Sequence, residues 1–192
     1  MVRITKKLFR VIFVCLLIVS LCMGIGIWFV YQKNNVRDQK KFVSWASIVP
    51  IESTQLYPVT DVVDGDTIKT TIEGHNITIR LLGINTPEVI DPRKPVECYG
   101  PEASAETKSL LTGKSVSLVL NLNYERIDKY GRLLAYVHVG SLFINEYLVK
   151  EGYAREYTFN NRNPYQYQSL FKADELEAKQ AKKGLWGKCS TN

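Results

Sequence analysis

Histidine and closely spaced cysteine are scarce in this sequence. Its 192 residues hold two histidines, His75 and His138, and four cysteines with no pair at the C-x-x-C spacing. A structural zinc site draws on four such ligands at short spacings, so none is expected. Cys15 and Cys22 lie in an apolar run, which leaves Cys98 and Cys189 for the rest of the chain. No internal repeat and no low-complexity tract is present. A basic surplus is missing as well from most of the chain. The formal net charge is +6, but the first 41 residues carry eight basic side chains against one acid, so the remainder sits at −1. Global charge therefore lends no support to polyanion binding beyond the N-terminal part, and any phosphate recognition must be local.

What is present first is a long apolar stretch. Residues 11–31 hold no charge and are broken only by Ser20, Gly24 and Gly26, enough to cross a hydrocarbon layer of about 30 Å as a helix. Three readings compete. A membrane anchor is preferred over a cleaved signal peptide, whose apolar region is about 7 to 15 residues and ends in small side chains. Here Trp28, Phe29, Val30 and Tyr31 end the run instead. Lipidation at Cys22 is disfavoured by the bulky Leu21 before it. Four basic residues flank the run on each side, so charge alone does not orient it. The expected organisation is a basic tail over 1–10, a transmembrane anchor over 11–31, a stalk over 32–55 and one domain over 56–192. That length holds one core plus an appendage, and two full domains would be cramped.

Within 56–192 the alternation of apolar and polar residues predicts strands over 56–63, 67–72, 76–82, 115–120 and 133–139. Glu73, Gly74 and His75 should join the second and third as an antiparallel hairpin. Three helices follow from other signals. Pro101 suits a first helical position, with Gly113 as the stop. A short helix spans 144–151, with Ile144 and Leu148 on one face and Gly152 ending it. A last one runs from about 167 to 183, with Leu170, Phe171, Ala173 and Leu176 facing inward and Lys179, Lys182 and Lys183 near its C-terminal dipole. Five strands with the first helix between the third and fourth suit an α+β fold, a Greek-key barrel of the oligonucleotide-binding type.

The chemistry concentrates in four blocks: DGDT at 64–67, RLLGINTPE at 80–88, YGPEAS at 99–104 and DKYGRLLAY at 128–136. If the hairpin forms, Asp66 and the turn over 85–88 fall at one sheet end. Carboxylates and a carbonyl-rich turn suit a hard cation such as Ca²⁺ or Mg²⁺, and arginine suits a phosphate through paired hydrogen bonds. Phosphodiester chemistry is the natural reading of that combination.

These blocks, in this order and spacing, closely resemble the staphylococcal nuclease (thermonuclease) family over roughly residues 58–186. The resemblance implies a calcium-dependent nuclease that cleaves DNA and RNA with little sequence preference and leaves 3′-phosphate products. It implies a metal site of Asp66, Asn85 and the carbonyl of Thr86, where the family commonly has aspartate at the position of Asn85. Without it, Asp66 would read as an ordinary hairpin-turn acid. Arg80 and Arg132 would clamp the scissile phosphate, against a plain reading as surface ion pairs. Glu88 would direct the attacking water, against a plain reading as a turn acid after Pro87. Lys129 and Tyr130 match the family's phosphate-side positions, Tyr157 aligns after a one-residue gap, and Tyr153 is a further pocket candidate. The family's usual secretion places the domain outside the cell as a monomer tethered by residues 11–31, or secreted if the anchor is cleaved. Two other readings remain: a barrel that binds nucleic acid or protein without cutting, and a surface module whose anchor is the point. In an oxidising compartment, the even cysteine count in the domain predicts a Cys98–Cys189 disulfide.

Overall fold

The computed structural model describes residues 25–28, 31–33, 51–90, 95–121, 124–159 and 163–190. The chain divides into two units, Met1–Trp45 and Ala46–Asn192. In the first, residues 25–28 and 31–33 are helical and exposed. The rest of the expected anchor over 11–31, the basic tail and most of the stalk lie outside the described residues. Among the described residues, no helix is long and apolar enough to cross a membrane.

The second unit is a barrel with helices at its ends. Strands β1 (Tyr57–Asp64), β2 (Thr67–Ile72) and β3 (His75–Leu81) form an antiparallel meander. The β2–β3 loop is two residues, Glu73 and Gly74, with φ of 48° and 78°. Positive φ at both central positions gives the tight hairpin turn whose twist matches the strands, and it sets Thr67 opposite Arg80. Two-residue β4 (Ile84–Asn85) follows, then helix α1 (Gly100–Leu111) and β5 (Ser115–Val119). Strand β6 (Leu133–Val139) runs antiparallel to β5 and parallel to β3, with Ile79 beside Leu133 and Leu81 beside Ala135. With β1 also paired to β5, the five long strands close on themselves. Closure leaves no free edge around the barrel.

The core follows the alternation. Ile68, Ile72, Ile77, Ile79, Leu81, Val116, Leu118, Leu133, Ala135 and Val137 are buried, with Leu111 and Leu148 from the helices. Short β7 (Leu142–Phe143) leads into α2 (Ile144–Lys150), β8 (Arg155–Glu156) pairs with β4, and α3 (Gln168–Gln180) and α4 (Leu185–Lys188) complete the unit. Asn145 on α2 is fully buried. Its Oδ1 accepts from the amide of Val137 at 2.9 Å, and its Nδ2 donates to the carbonyl of Leu82 at 2.9 Å. One side chain thus fastens β6 to the segment leaving β3, on the path to the acid turn.

Helix α3 corrects one expectation. Leu170, Ala173 and Leu176 face outward, Leu176 being 56% exposed, and the buried positions are Phe171, Asp174 and Ala178. Two stripes of the helix carry apolar residues, and the packing of α3 on α2 and β8 selects the one through Phe171.

Candidate active site

The turn between β1 and β2 places Asp64 and Asp66 at the barrel mouth, and both are buried. Gly65 sits directly under Thr86: a Cβ there would lie 2.8 Å from the Thr86 side chain. Its carbonyl accepts from the Thr107 hydroxyl of α1 at 2.7 Å, so the turn is gripped from two sides.

Asp66 is the hub. Its Oδ2 accepts from the Thr86 amide at 3.0 Å and the Thr86 hydroxyl at 3.2 Å and pairs with Arg80 Nη2 at 3.0 Å, while Oδ1 accepts from the Thr67 hydroxyl at 2.9 Å. Arg80 lies on an apolar strand, and its head finds partners inside. Nη1 donates to the carbonyls of Leu81 at 2.7 Å and Ile84 at 2.8 Å, and Nη2 also donates to Asn85 Oδ1 at 2.9 Å. Burial lowers the Arg80 pKa and the Asp66 charge opposes that shift. Asn85 in turn donates from Nδ2 to the Thr86 carbonyl at 3.3 Å.

Arg132 is held differently. Asp128 accepts from Arg132 Nε and Nη2, both at 2.7 Å, through Oδ2. Through Oδ1 it accepts from the amides of Tyr130 and Arg132 at 2.9 Å each. One carboxylate therefore shapes the glycine turn and aims the guanidinium that follows. Lys129 Nζ and the Arg132 guanidinium lie 4.9 Å and 5.3 Å from the Tyr130 ring centre. Glu88 is half-buried, and its Oε1 accepts from the amides of Val89 at 3.0 Å and Ile90 at 2.9 Å.

A cavity of about 830 Å³ gathers these groups. Asp66, Arg80, Asn85, Glu88, Lys129, Tyr130, Arg132 and Tyr157 all line it. Thr86, whose amide and hydroxyl bond Asp66, is not among the residues of the wall. Tyr153 is elsewhere, stacked between Tyr99 at 5.7 Å and Tyr147 at 6.4 Å, which removes it from the pocket set. Asp64, Asp128 and the exposed Phe159 also belong to this wall. Phe159 was findable as an aromatic two residues after Tyr157. Asp64 and Asp128 open two of the four blocks, DGDT and DKYGRLLAY, and that membership was the signal for them.

The donors fit a hard divalent cation. Burial, partly offset by the Gly65 amide, and then the neighbouring Asp66 and Glu88 charges push the Asp64 carboxyl up to about 6. Such crowding of acids is what a cation at this turn would relieve. Among the described residues, no three His, Cys, Asp or Glu side chains are grouped to hold a metal ion. An ion there would draw part of its shell from neutral oxygens, the Asn85 side chain and the Thr86 carbonyl, and from water.

An oligonucleotide-binding-type barrel with acids, two arginines and exposed tyrosines converging at its mouth defines a class of proteins that handle phosphodiesters. Residues 78–188 match the family model described as staphylococcal nuclease homologue. The thermonuclease of Staphylococcus hyicus is 41% identical over 132 residues, 69% of this chain and 76% of that protein. From Bacillus subtilis (strain 168), the SPbeta prophage-derived endonuclease YokF is 45% identical and the endonuclease YncB 42% identical, each over 127 residues and 66% of this chain. The match spans 42% of YokF and 59% of YncB, less than two thirds of either. The chain belongs to the staphylococcal nuclease homologue family and is a nuclease, a phosphodiester hydrolase.

Proposed function

We propose that this nuclease requires Ca²⁺, cuts DNA and RNA with little sequence preference, and leaves 3′-phosphates. The observation that carries this reading is the convergence of Asp66, Arg80, Asn85, Glu88 and Arg132 on one cavity rimmed by Lys129, Tyr130 and Tyr157. Asp66, the Asn85 oxygen and the Thr86 carbonyl are the groups that would hold the ion. Calcium, when bound, would supply positive charge beside the phosphate and act as a Lewis acid.

The chain's own residues account for the rest. Glu88, one oxygen fixed by two amides, orients the attacking water and draws on its proton. Attack in line forms a bond from the water oxygen to phosphorus and breaks the bond to the 5′ oxygen, which takes a proton from solvent, giving a 3′-phosphate and a 5′-hydroxyl, and Glu88 returns its proton to solvent. Arg132, aimed by Asp128 and partly open to the cavity, takes the charge that grows on the non-bridging oxygens. Arg80 contributes from the inner wall, its fork fixed by two carbonyls, Asn85 and Asp66. The exposed Tyr130 and Tyr157 rings offer stacking faces to any base.

Residues 11–31 would tether a monomeric domain at the outer face of the membrane. The uncharged length of that run supports it, as does the disulfide joining Cys98 to Cys189, a bond suited to an oxidising compartment.

The test incubates the full chain with plasmid DNA or transfer RNA, with Ca²⁺ or with a calcium chelator. Cutting abolished by the chelator and restored by Ca²⁺, with fragments carrying phosphatase-sensitive 3′ ends, is the expected result. Chelator-resistant cutting refutes calcium dependence, and 5′-phosphate ends refute the cleavage position. Release of the protein from membranes by alkaline carbonate would refute the anchor.

A further inference from the structure

Glu88 is held by more than its own turn. Its carbonyl accepts from the Glu97 amide at 2.9 Å, and its amide donates to Glu97 Oε2 at 3.1 Å. Both main-chain groups of the proposed water-directing residue are therefore bound to one other residue, nine positions on. The neighbouring backbone is close as well: a Cβ on Gly100 would lie 3.1 Å from the carbonyls of Pro87 and Glu88. The segment that supplies this grip is tied to the start of α1, the Glu97 carbonyl accepting from the Gly100 amide at 3.0 Å, and lies open to solvent. Pro95, Val96, Glu97 and Cys98 are all exposed, Val96 by 57%. Its covalent tie is the disulfide from Cys98 to Cys189, at the C-terminal end of α4, across a sequence separation of 91 residues. Helix α4 is itself seated in the unit, with Leu185 buried and the Trp186 ring 4.4 Å from the Arg155 guanidinium.

We propose that Glu97 is a positioning residue for Glu88 and that the adjoining disulfide makes its hold conditional on oxidation, so that the reduced chain is a slower nuclease. The inference rests on the role given to Glu88 above. The side chain of Glu88 is oriented by the amides of Val89 and Ile90, so its aim follows the path of the backbone at 88–90. Glu97 fixes that path from the other side. Loss of the S–S bond frees the exposed segment from α4 and leaves Glu97 held by hydrogen bonds, the two to Glu88 and the one from the Gly100 amide to its carbonyl among the described residues. A dithiol reductant carries out the change in balanced form: it gives two electrons and two protons, the Cys98–Cys189 bond breaks to two thiols, and the dithiol closes to its own disulfide. Before export, in a reducing cytoplasm, the enzyme would be held below full activity. Oxidation outside would complete it.

The experiment measures kcat and KM on the full chain at saturating Ca²⁺, well below the melting temperature of each form. Dithiothreitol should lower kcat several-fold with KM unchanged while the thiol count rises by two, and reoxidation should restore it. The double variant Cys98→Ser with Cys189→Ser should match the reduced enzyme and ignore dithiothreitol. Glu97→Ala should lower kcat about tenfold, since a misplacement near 1 Å at a reacting group costs up to about 10². Glu97→Gln, which keeps an oxygen acceptor for the Glu88 amide, should stay within about twofold of wild type by the same reasoning. An unchanged kcat in folded Glu97→Ala, or in wild type shown by thiol titration to be reduced, overturns the inference. So does a loss that only tracks the unfolded fraction by circular dichroism. Glu88→Gln run alongside separates the two readings: full turnover in that variant overturns the role of Glu88, whereas its loss with Glu97→Ala unaffected overturns this inference alone.

Discussion

Removing each arginine of the site in turn should have very different effects on stability. Arg80 and Asp66 are a pair with side chains 10% and 9% exposed, and the guanidinium also caps the carbonyls of Leu81 and Ile84. Arg80→Ala leaves a buried carboxylate without its cation and two carbonyls without a donor, a class of change that costs about 3–5 kcal/mol. For a unit of about 150 residues, an unfolding entropy near 2.1 cal/mol/K per residue gives about 0.3 kcal/mol/K, hence a fall in Tm of roughly 10–16 °C. The Arg132–Asp128 pair is more open, with side chains 29% and 16% exposed. Partly solvated pairs contribute about 1 kcal/mol or less, so Arg132→Ala should melt within about 3 °C of wild type. Its turnover should fall by about 10² to 10³, the usual cost of removing one preorganised charge donor. Scanning calorimetry and steady-state turnover at 25 °C on both variants decide the matter. An Arg80→Ala protein melting within 3 °C of wild type would refute the account of the buried network. An Arg132→Ala protein that keeps its turnover, or loses 10 °C, would move Arg132 to a structural role.

Asn85→Asp should lower the Ca²⁺ concentration for half-maximal activity by roughly three- to tenfold, because affinity follows ligand charge. Asp would still accept from Arg80 and would free the Thr86 carbonyl from the Asn85 amide, 3.3 Å away; a titration with no shift, or an upward one, contracts the proposed metal set to Asp66 and Thr86. Gly65→Ala puts a methyl 2.8 Å from the Thr86 side chain and should cost about 1–3 kcal/mol while lifting Thr86 off Asp66. Urea melts showing wild-type stability would mean that the turn yields freely. Asn145→Ala strands the Val137 amide and the Leu82 carbonyl in the core and should destabilise by about 2–4 kcal/mol. A loss under 1 kcal/mol in the same assay would show that the two groups find other partners.

The barrel was legible because period-two alternation and tight-turn residues mark strands without reference to the rest of the chain. Strands β2 and β6 fall where the pattern places them, and the others differ by a residue at one end or both. Strands β4, β7 and β8 are two residues each, too short for any period to show, and exist because neighbours complete their hydrogen bonds. The disulfide could be predicted for a simple reason: outside the apolar run only Cys98 and Cys189 remain to pair.

By itself the sequence determined the residue types at the mouth, the order in which they arrive and the strands that carry them, since those depend on local pattern and on blocks read together. Only the tertiary structure decided how the charged groups are shared out. Arg80 and Arg132 look alike along the chain, but closure of β3 against β6 buries Arg80 on Asp66, while Arg132 follows a glycine turn and stays partly open on Asp128. The same is true of Glu97, whose bond to Glu88 spans nine positions, and of α3, where Phe171 rather than Leu170 or Leu176 turns inward. Burial and pairing are properties of what lies across a gap, and a one-dimensional pattern holds no record of which surfaces will meet.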